Sequence, residues 1–118
     1  MSQTMQQIII TEPGGVDKLA YETVATPSPA NNEVLVKVYA FGLNRPDILQ
    51  RQGLYPMPKG VTPVPGLEVA GIVEAVGADV TAFKMGDKVC GLTNGGGYAE
   101  YCVVPESQTL AIPEGVSF

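Results

Sequence analysis

Gly66-Leu-Glu-Val-Ala-Gly71-Ile-Val-Glu-Ala-Val-Gly77 is the stretch from which the fold is read. Val69–Val76 is apolar and β-branched, with Gly71 inside it, which is the pattern of a strand with a buried face. Gly77 and Asp79 mark a turn after it, and Lys84-Met-Gly-Asp87 marks a second. Upstream, Glu33–Phe41 alternates most clearly. Val34, Val36, Val38 and Ala40 fall on one side, and Leu35, Lys37, Tyr39 and Phe41 on the other. Further out, Gln6–Ile10, Leu19–Val24, Lys88–Leu92, Tyr98–Val104 and Thr109–Ile112 read as shorter strands. Asn94-Gly-Gly-Gly97 reads as the hairpin loop between two of them. If that hairpin turns symmetrically about Gly96, Cys90 and Cys102 sit opposite each other; free thiols are expected all the same.

Between the strands, Thr26–Asn32 is a loop, because its two Pro residues block ladder bonds. Asn44 is placed to cap a short helix, with Pro46 in the first turn and Asp47 three residues on. That helix runs to about Gln52 and stops at Gly53. Tyr55–Gly66 carries four Pro, so it is extended and stiff, as suits a pocket wall. About seven short strands with one or two brief helices predict a mostly β fold, a partly open β-barrel.

Composition narrows the function classes. A chain of 118 residues fits one compact domain, 1–118, and 45% hydrophobic with 16% charged residues argues against disorder. Fourteen Gly and ten Pro favour short strands over long helices. A net charge of −5 with seven scattered basic residues excludes the clustered cations that nucleic acid or an anionic membrane requires. Met1–Gln7 shows no basic leader and no long apolar run, so neither a signal peptide nor a membrane span is expected, and the cytoplasm is the expected address. The chain has no His and only two Cys, Cys90 and Cys102, so it cannot build a Cys- or His-based zinc site alone.

Gly66–Gly77, continuing through Asp79-Val80 to Met85-Gly-Asp-Lys-Val89, resembles the signature of the medium-chain dehydrogenase/reductase superfamily. In its alcohol dehydrogenase branch a His follows the first Gly and binds catalytic zinc; here that position is Leu67. A zinc-binding Cys of that branch stands where this chain has Asn44, and the structural zinc lobe is replaced by the three-Gly loop. These departures are those of the zinc-free quinone oxidoreductases, which include zeta-crystallin. Gly42-Leu-Asn-Arg45, Leu49-Gln-Arg-Gln-Gly-Leu-Tyr55 and Gly95-Gly-Gly-Tyr-Ala-Glu-Tyr101 look most like the tumour-suppressor-inducible quinone oxidoreductases.

The resemblance implies a GroES-like barrel followed by a Rossmann nucleotide-binding domain, with NADPH between them. No Gly-x-Gly-x-x-Gly run lies between a strand and a helix here, so the Rossmann domain is expected to be absent from this chain, which alone would be inactive. The implied reaction is hydride transfer from NADPH to a quinone, an enone or another activated carbonyl. Without zinc, placed hydrogen-bond donors and a dry cleft must stabilise the charge that develops on the acceptor; each donor of this kind is typically worth a few kcal/mol, about 3–4 in a well-studied hydrolase. Asn44 is expected to orient the nicotinamide-ribose end of the cofactor, besides capping its helix. Tyr55 is expected to line the acceptor pocket and donate its hydroxyl, or to pack on the Pro-rich loop. Gly66 and Leu67 are expected on the nicotinamide side of the cleft. Glu68 reads as structurally paired, with Arg51 as a partner, Asp87 as a turn acceptor and Arg45 as solvated. The full-length protein is expected to be a homodimer. A non-enzymatic GroES-like binding module and an enoyl-thioester reductase are the competing readings.

Overall fold

Runs of β-branched residues become seven strands in the computed structural model, which describes residues 3–58 and 60–118. Met1 and Ser2, which open the segment read as lacking a leader, and Lys59 of the Pro-rich loop lie outside the described residues. The strands are β1 (Thr4–Ile10), β2 (Leu19–Ala25), β3 (Glu33–Phe41), β4 (Glu68–Val76), β5 (Lys88–Leu92), β6 (Tyr101–Pro105) and β7 (Thr109–Ala111). One α-helix, α1 (Arg45–Arg51), follows β3. Its last residue is Arg51, and two residues on Gly53 takes a φ of +81°, a left-handed conformation that favours Gly.

β1 and β2 form an antiparallel pair, and the other five strands form one antiparallel sheet in the order β6-β3-β4-β5-β7. β6 and β7 therefore stand at opposite edges. Only Glu106–Gln108, a single 3-10 turn, separates them in sequence. Three residues reach about 10 Å at most, so the sheet has to curl until its edges approach. Side chains hold the seam. Gln108 Nε2 donates to the Leu92 carbonyl at 2.6 Å, and Thr93 Oγ1 donates to the Val103 carbonyl at 3.3 Å. The result is the partly open β-barrel that the strand pattern predicts.

The core lies inside the curl. Val34 and Val36 of β3, Val69 and Val73 of β4, Val89 of β5, and Cys102 and Val104 of β6 form one buried cluster. Each buried Val contributes about 1.5–3 kcal/mol relative to its exposed state. β3 is buried over its first half only. Its pairing with β4 shifts register between Val38 and Ala40, and beyond that shift Tyr39, Ala40 and Phe41 are exposed although they are apolar.

The loop Asn94–Gly97 is not a hairpin. β5 pairs with β4 and β7, and β6 pairs with β3. The glycine loop is instead drawn onto Val64–Gly66, whose carbonyls accept the Gly96, Gly97 and Tyr98 N–H groups, which carries β6 away from β5 and onto β3. Cys90 consequently faces Leu110 across its ladder and Cys102 faces Val36, so the cross-strand Cys pairing does not arise. Both thiols are free. The last two strands also begin or end later or sooner than read: β6 starts at Tyr101, and β7 ends at Ala111. Residues 98–100 serve instead as the tether of the β1–β2 pair, through Ile8 N–H to the Tyr98 carbonyl at 2.8 Å and Glu100 N–H to the Gln6 carbonyl at 3.1 Å.

Candidate functional site

Where β3 leaves the barrel, the chain turns through Gly42 into α1 and places Asn44 at the helix start. Asn44 is extended (φ −125°, ψ 159°) and forms a capping box with Asp47. The Asn44 side chain faces the Asp47 backbone N–H, and Asp47 Oδ2 accepts the Asn44 backbone N–H at 3.0 Å. Asp47 is only 5% exposed. Its Oδ2 also accepts the Tyr98 hydroxyl at 2.8 Å. Burial first, and then the hydrogen bond to Asp47, push Tyr98 well above the usual phenol range, which keeps it a donor. The Tyr98 ring stacks on Phe41 with centroids 4.6 Å apart. Asp47 Oδ1 is buried with no partner among the described residues.

The Asn44 amide is held from a second direction. Its Nδ2 donates to Glu68 Oε2 at 2.9 Å. Glu68 opens β4, and its carboxylate lies over Gly42, where an added Cβ would come within 2.7 Å of Glu68 Cδ. Glu68 is therefore paired, but with Asn44 and not with Arg51. Arg51 Nε donates to the Gly14 carbonyl at 3.1 Å, tying α1 to the loop after β1. Among the described residues Glu68 has no ion-pair partner.

Beside this pair lies a groove of about 630 Å³, walled by Ala40, Phe41, Gly42, Val69, Leu92, Leu110 and Phe118 among others. Among the described residues, Glu68 is the only charged one in its lining. Glu68 thus lines an apolar surface and holds the Asn44 amide, itself outside the lining, next to it, an arrangement that can orient a neutral polar group beside an apolar one.

The remaining predicted residues fall in different surroundings. Gly66 is buried, with φ +107°, and an added Cβ would sit 2.7 Å from Gly97 Cα and from the Tyr98 backbone. The backbone at 64–66 accepts the N–H groups of Gly96, Gly97 and Tyr98 at 2.8, 3.1 and 3.0 Å. Leu67 is half-buried, and its carbonyl accepts the Thr93 N–H at 2.9 Å. Tyr55, 38% exposed in the Pro-rich loop, does not line the groove. Arg45 is exposed, and Asp87 accepts both the ammonium and the backbone N–H of Lys84, which lower its pKa in that order. The Asp47–Tyr98 bond escaped the sequence. The spacing from Asn44 marks Asp47 as a cap, but nothing local marks a partner 51 residues away.

Among the described residues no group of three or more His, Cys, Asp or Glu is arranged to hold a metal, and no helix is long and apolar enough to cross a membrane. Burial pushes the Cys102 thiol up to about 11.

The family model of the alcohol dehydrogenase GroES-like domain matches residues 30–114. The chain belongs to that family. Two relatives match this GroES-like domain over nearly its whole length. A zebrafish (Danio rerio) synaptic vesicle membrane protein VAT-1 homolog is 40% identical over 98% of the chain, and a rat (Rattus norvegicus) quinone oxidoreductase is 40% identical over 97% of it. The chain spans 24% and 35% of the lengths of these two proteins. Among solved structures, Escherichia coli quinone oxidoreductase complexed with NADPH superposes with a TM-score of 0.88 at 33% identity, over 96% of this chain and 35% of that one. The CurK enoyl reductase superposes with a TM-score of 0.85 at 31% identity, over 98% of this chain and 37% of that one. The GroES-like domain is thus similar along its length to oxidoreductases of the medium-chain dehydrogenase/reductase superfamily.

Proposed function

We propose that this GroES-like domain is the acceptor-side part of an NADPH-dependent oxidoreductase that reduces a quinone or another activated carbonyl without zinc. The observation that carries the reading is the Asn44–Glu68 pair at the rim of the apolar groove. By the family resemblance, Asn44 and Leu67 stand where the zinc-dependent branch has its Cys and His. An amide and an isobutyl group bind metal poorly, and hydrogen bonding is the chemistry they leave.

The residues present fit the neutral end of a dinucleotide. The Asn44 amide nitrogen keeps a second N–H beyond its bond to Glu68, which suits a ribose hydroxyl or a carboxamide oxygen. They do not fit its phosphates, because among the described residues no Lys or Arg lines the groove. The phosphates would be held by a separate nucleotide-binding domain, in keeping with the greater length of the relatives. When bound, reduced nicotinamide supplies the hydride. Asn44 would orient the ribose and Leu67, with Gly66 packed behind it, would stand on the nicotinamide side; Tyr55, outside the groove lining, would donate its hydroxyl to an acceptor that extends past the groove to the Pro-rich loop. Neither Asn44 nor Tyr55 abstracts a proton; both polarise and position.

The test is quinone-dependent NADPH oxidation by the intact protein that carries this domain. Asn44→Ala is expected to raise KM for NADPH, and Tyr55→Phe to lower kcat by about tenfold or more. Absence of NADPH loss with every quinone offered would remove the reading. The likeness to an enoyl reductase supports a second one. Preferential turnover of an enoyl thioester over quinones decides for it.

A further inference from the structure

We infer that Glu68 is a positioning residue. Its carboxylate fixes the Asn44 amide so that the second Nδ2–H is presented to a neutral ligand oxygen. The ligand, a ribose hydroxyl, rests on the function proposed above; the positioning rests on the geometry alone.

One side-chain hydrogen bond gives the Asn44 amide its orientation. An ionised carboxylate accepts hydrogen bonds and donates none, so the 2.9 Å contact with Glu68 belongs to the amide nitrogen. The other end of the same planar group faces the Asp47 N–H without a side-chain cap hydrogen bond, because that N–H donates to the Asn44 carbonyl at 3.0 Å. The backbone of Asn44 is fixed separately, by Asp47 Oδ2, which Tyr98 holds in turn. That second set of bonds leaves the amide free to rotate about its last torsion, which is broad and shallow. Glu68 supplies the missing restraint. It arrives from β4, where it pairs with Leu92 of β5, and the bare Cα of Gly42 gives its side chain room to reach Asn44. With no cation beside it among the described residues, its charge acts on the amide and opposes any anionic group approaching there.

Isotope-resolved NMR of this chain reads the restraint directly. In the wild type the two Asn44 side-chain N–H signals are expected to be well separated and slow to exchange. Glu68→Gln, whose carbonyl can still accept, retains that signature, and Glu68→Ala moves it to the position of a free Asn. In the intact protein, Glu68→Ala is expected to weaken NADPH binding about tenfold, and Glu68→Gln by less than about twofold. In an Asn44→Ala background Glu68→Ala is expected to add nothing. Unchanged Asn44 signals in Glu68→Ala would overturn the inference. So would a loss of affinity from Glu68→Ala that persists without Asn44. If Asn44→Ala leaves NADPH affinity unchanged, the cofactor reading is what fails, and the NMR comparison still decides whether Glu68 holds the amide.

Discussion

Asp47 has one buried carboxylate oxygen that serves two donors and a second that serves none among the described residues. Such a group has no spare partner to fall back on. Tyr98→Phe removes one of its two donors and is expected to cost about 1–3 kcal/mol, measured by urea unfolding. Alkaline pH probes the same burial. Tyr98 and Cys102 both have folded-state pKa values raised by burial, from 10.0 and 9.0 in the unfolded chain. Above those values the unfolded chain releases protons that the folded one keeps, so stability falls as pH rises. For Cys102, whose folded value is about 11, the loss begins near pH 9 and levels off near 11, at no more than about 1.4 kcal/mol per pH unit. Cys102→Ala is expected to be less stable at neutral pH, yet flatter between pH 9 and 11, with the Tyr98 limb above pH 10 unchanged. An unaltered slope across pH 9–11 would show that Cys102 does not carry it.

At the level of elements, the glycine loop 94–97 owes its course to a partner far away in sequence. It lies on Val64–Gly66, and Gly66 and Gly97 approach too closely for any side chain between them. Gly66→Ala meets two obstacles at once, a positive φ and a Cβ 2.7 Å from Gly97 Cα. It is expected to cost about 2–3 kcal/mol, read as a shift of the urea midpoint, with Gly115→Ala, where no neighbour stands within 4 Å, as the milder positive-φ control. The same loop shows where reading the sequence stops. Alternation and punctuation by Gly and Pro place all seven strands nearly to their ends, because those signals are local. Three glycines between two short apolar runs look like a hairpin for equally local reasons. Which strand pairs with which is settled by core closure and by the loop's bonds to Val64–Gly66, and so Cys90 found Leu110 and not Cys102. In the site, Asn44 and its cap were legible from spacing. The Glu68 and Tyr98 contacts, 24 residues from Asn44 and 51 from Asp47, depend on the curl of the sheet and were not.

For the molecule as a whole, the apolar wall that serves the groove is also a liability. Leu92 and Leu110 are 61% and 68% exposed, and Tyr39, Phe41 and Phe118 are exposed beside them. Contiguous apolar surface of this kind is rare on a protein that stays monomeric. Self-association of this chain on its own is therefore expected, rising with concentration in sedimentation velocity. Leu92→Lys combined with Leu110→Lys should suppress it, since both side chains lie in the groove lining and neither belongs to the core cluster. The substitution also discriminates between causes. Two added lysines move the net charge of −5 toward zero, which weakens repulsion between copies and by itself favours association. A fall in association despite that change would assign it to the apolar wall; a rise would mean that repulsion, and not the exposed leucines, sets the oligomeric state.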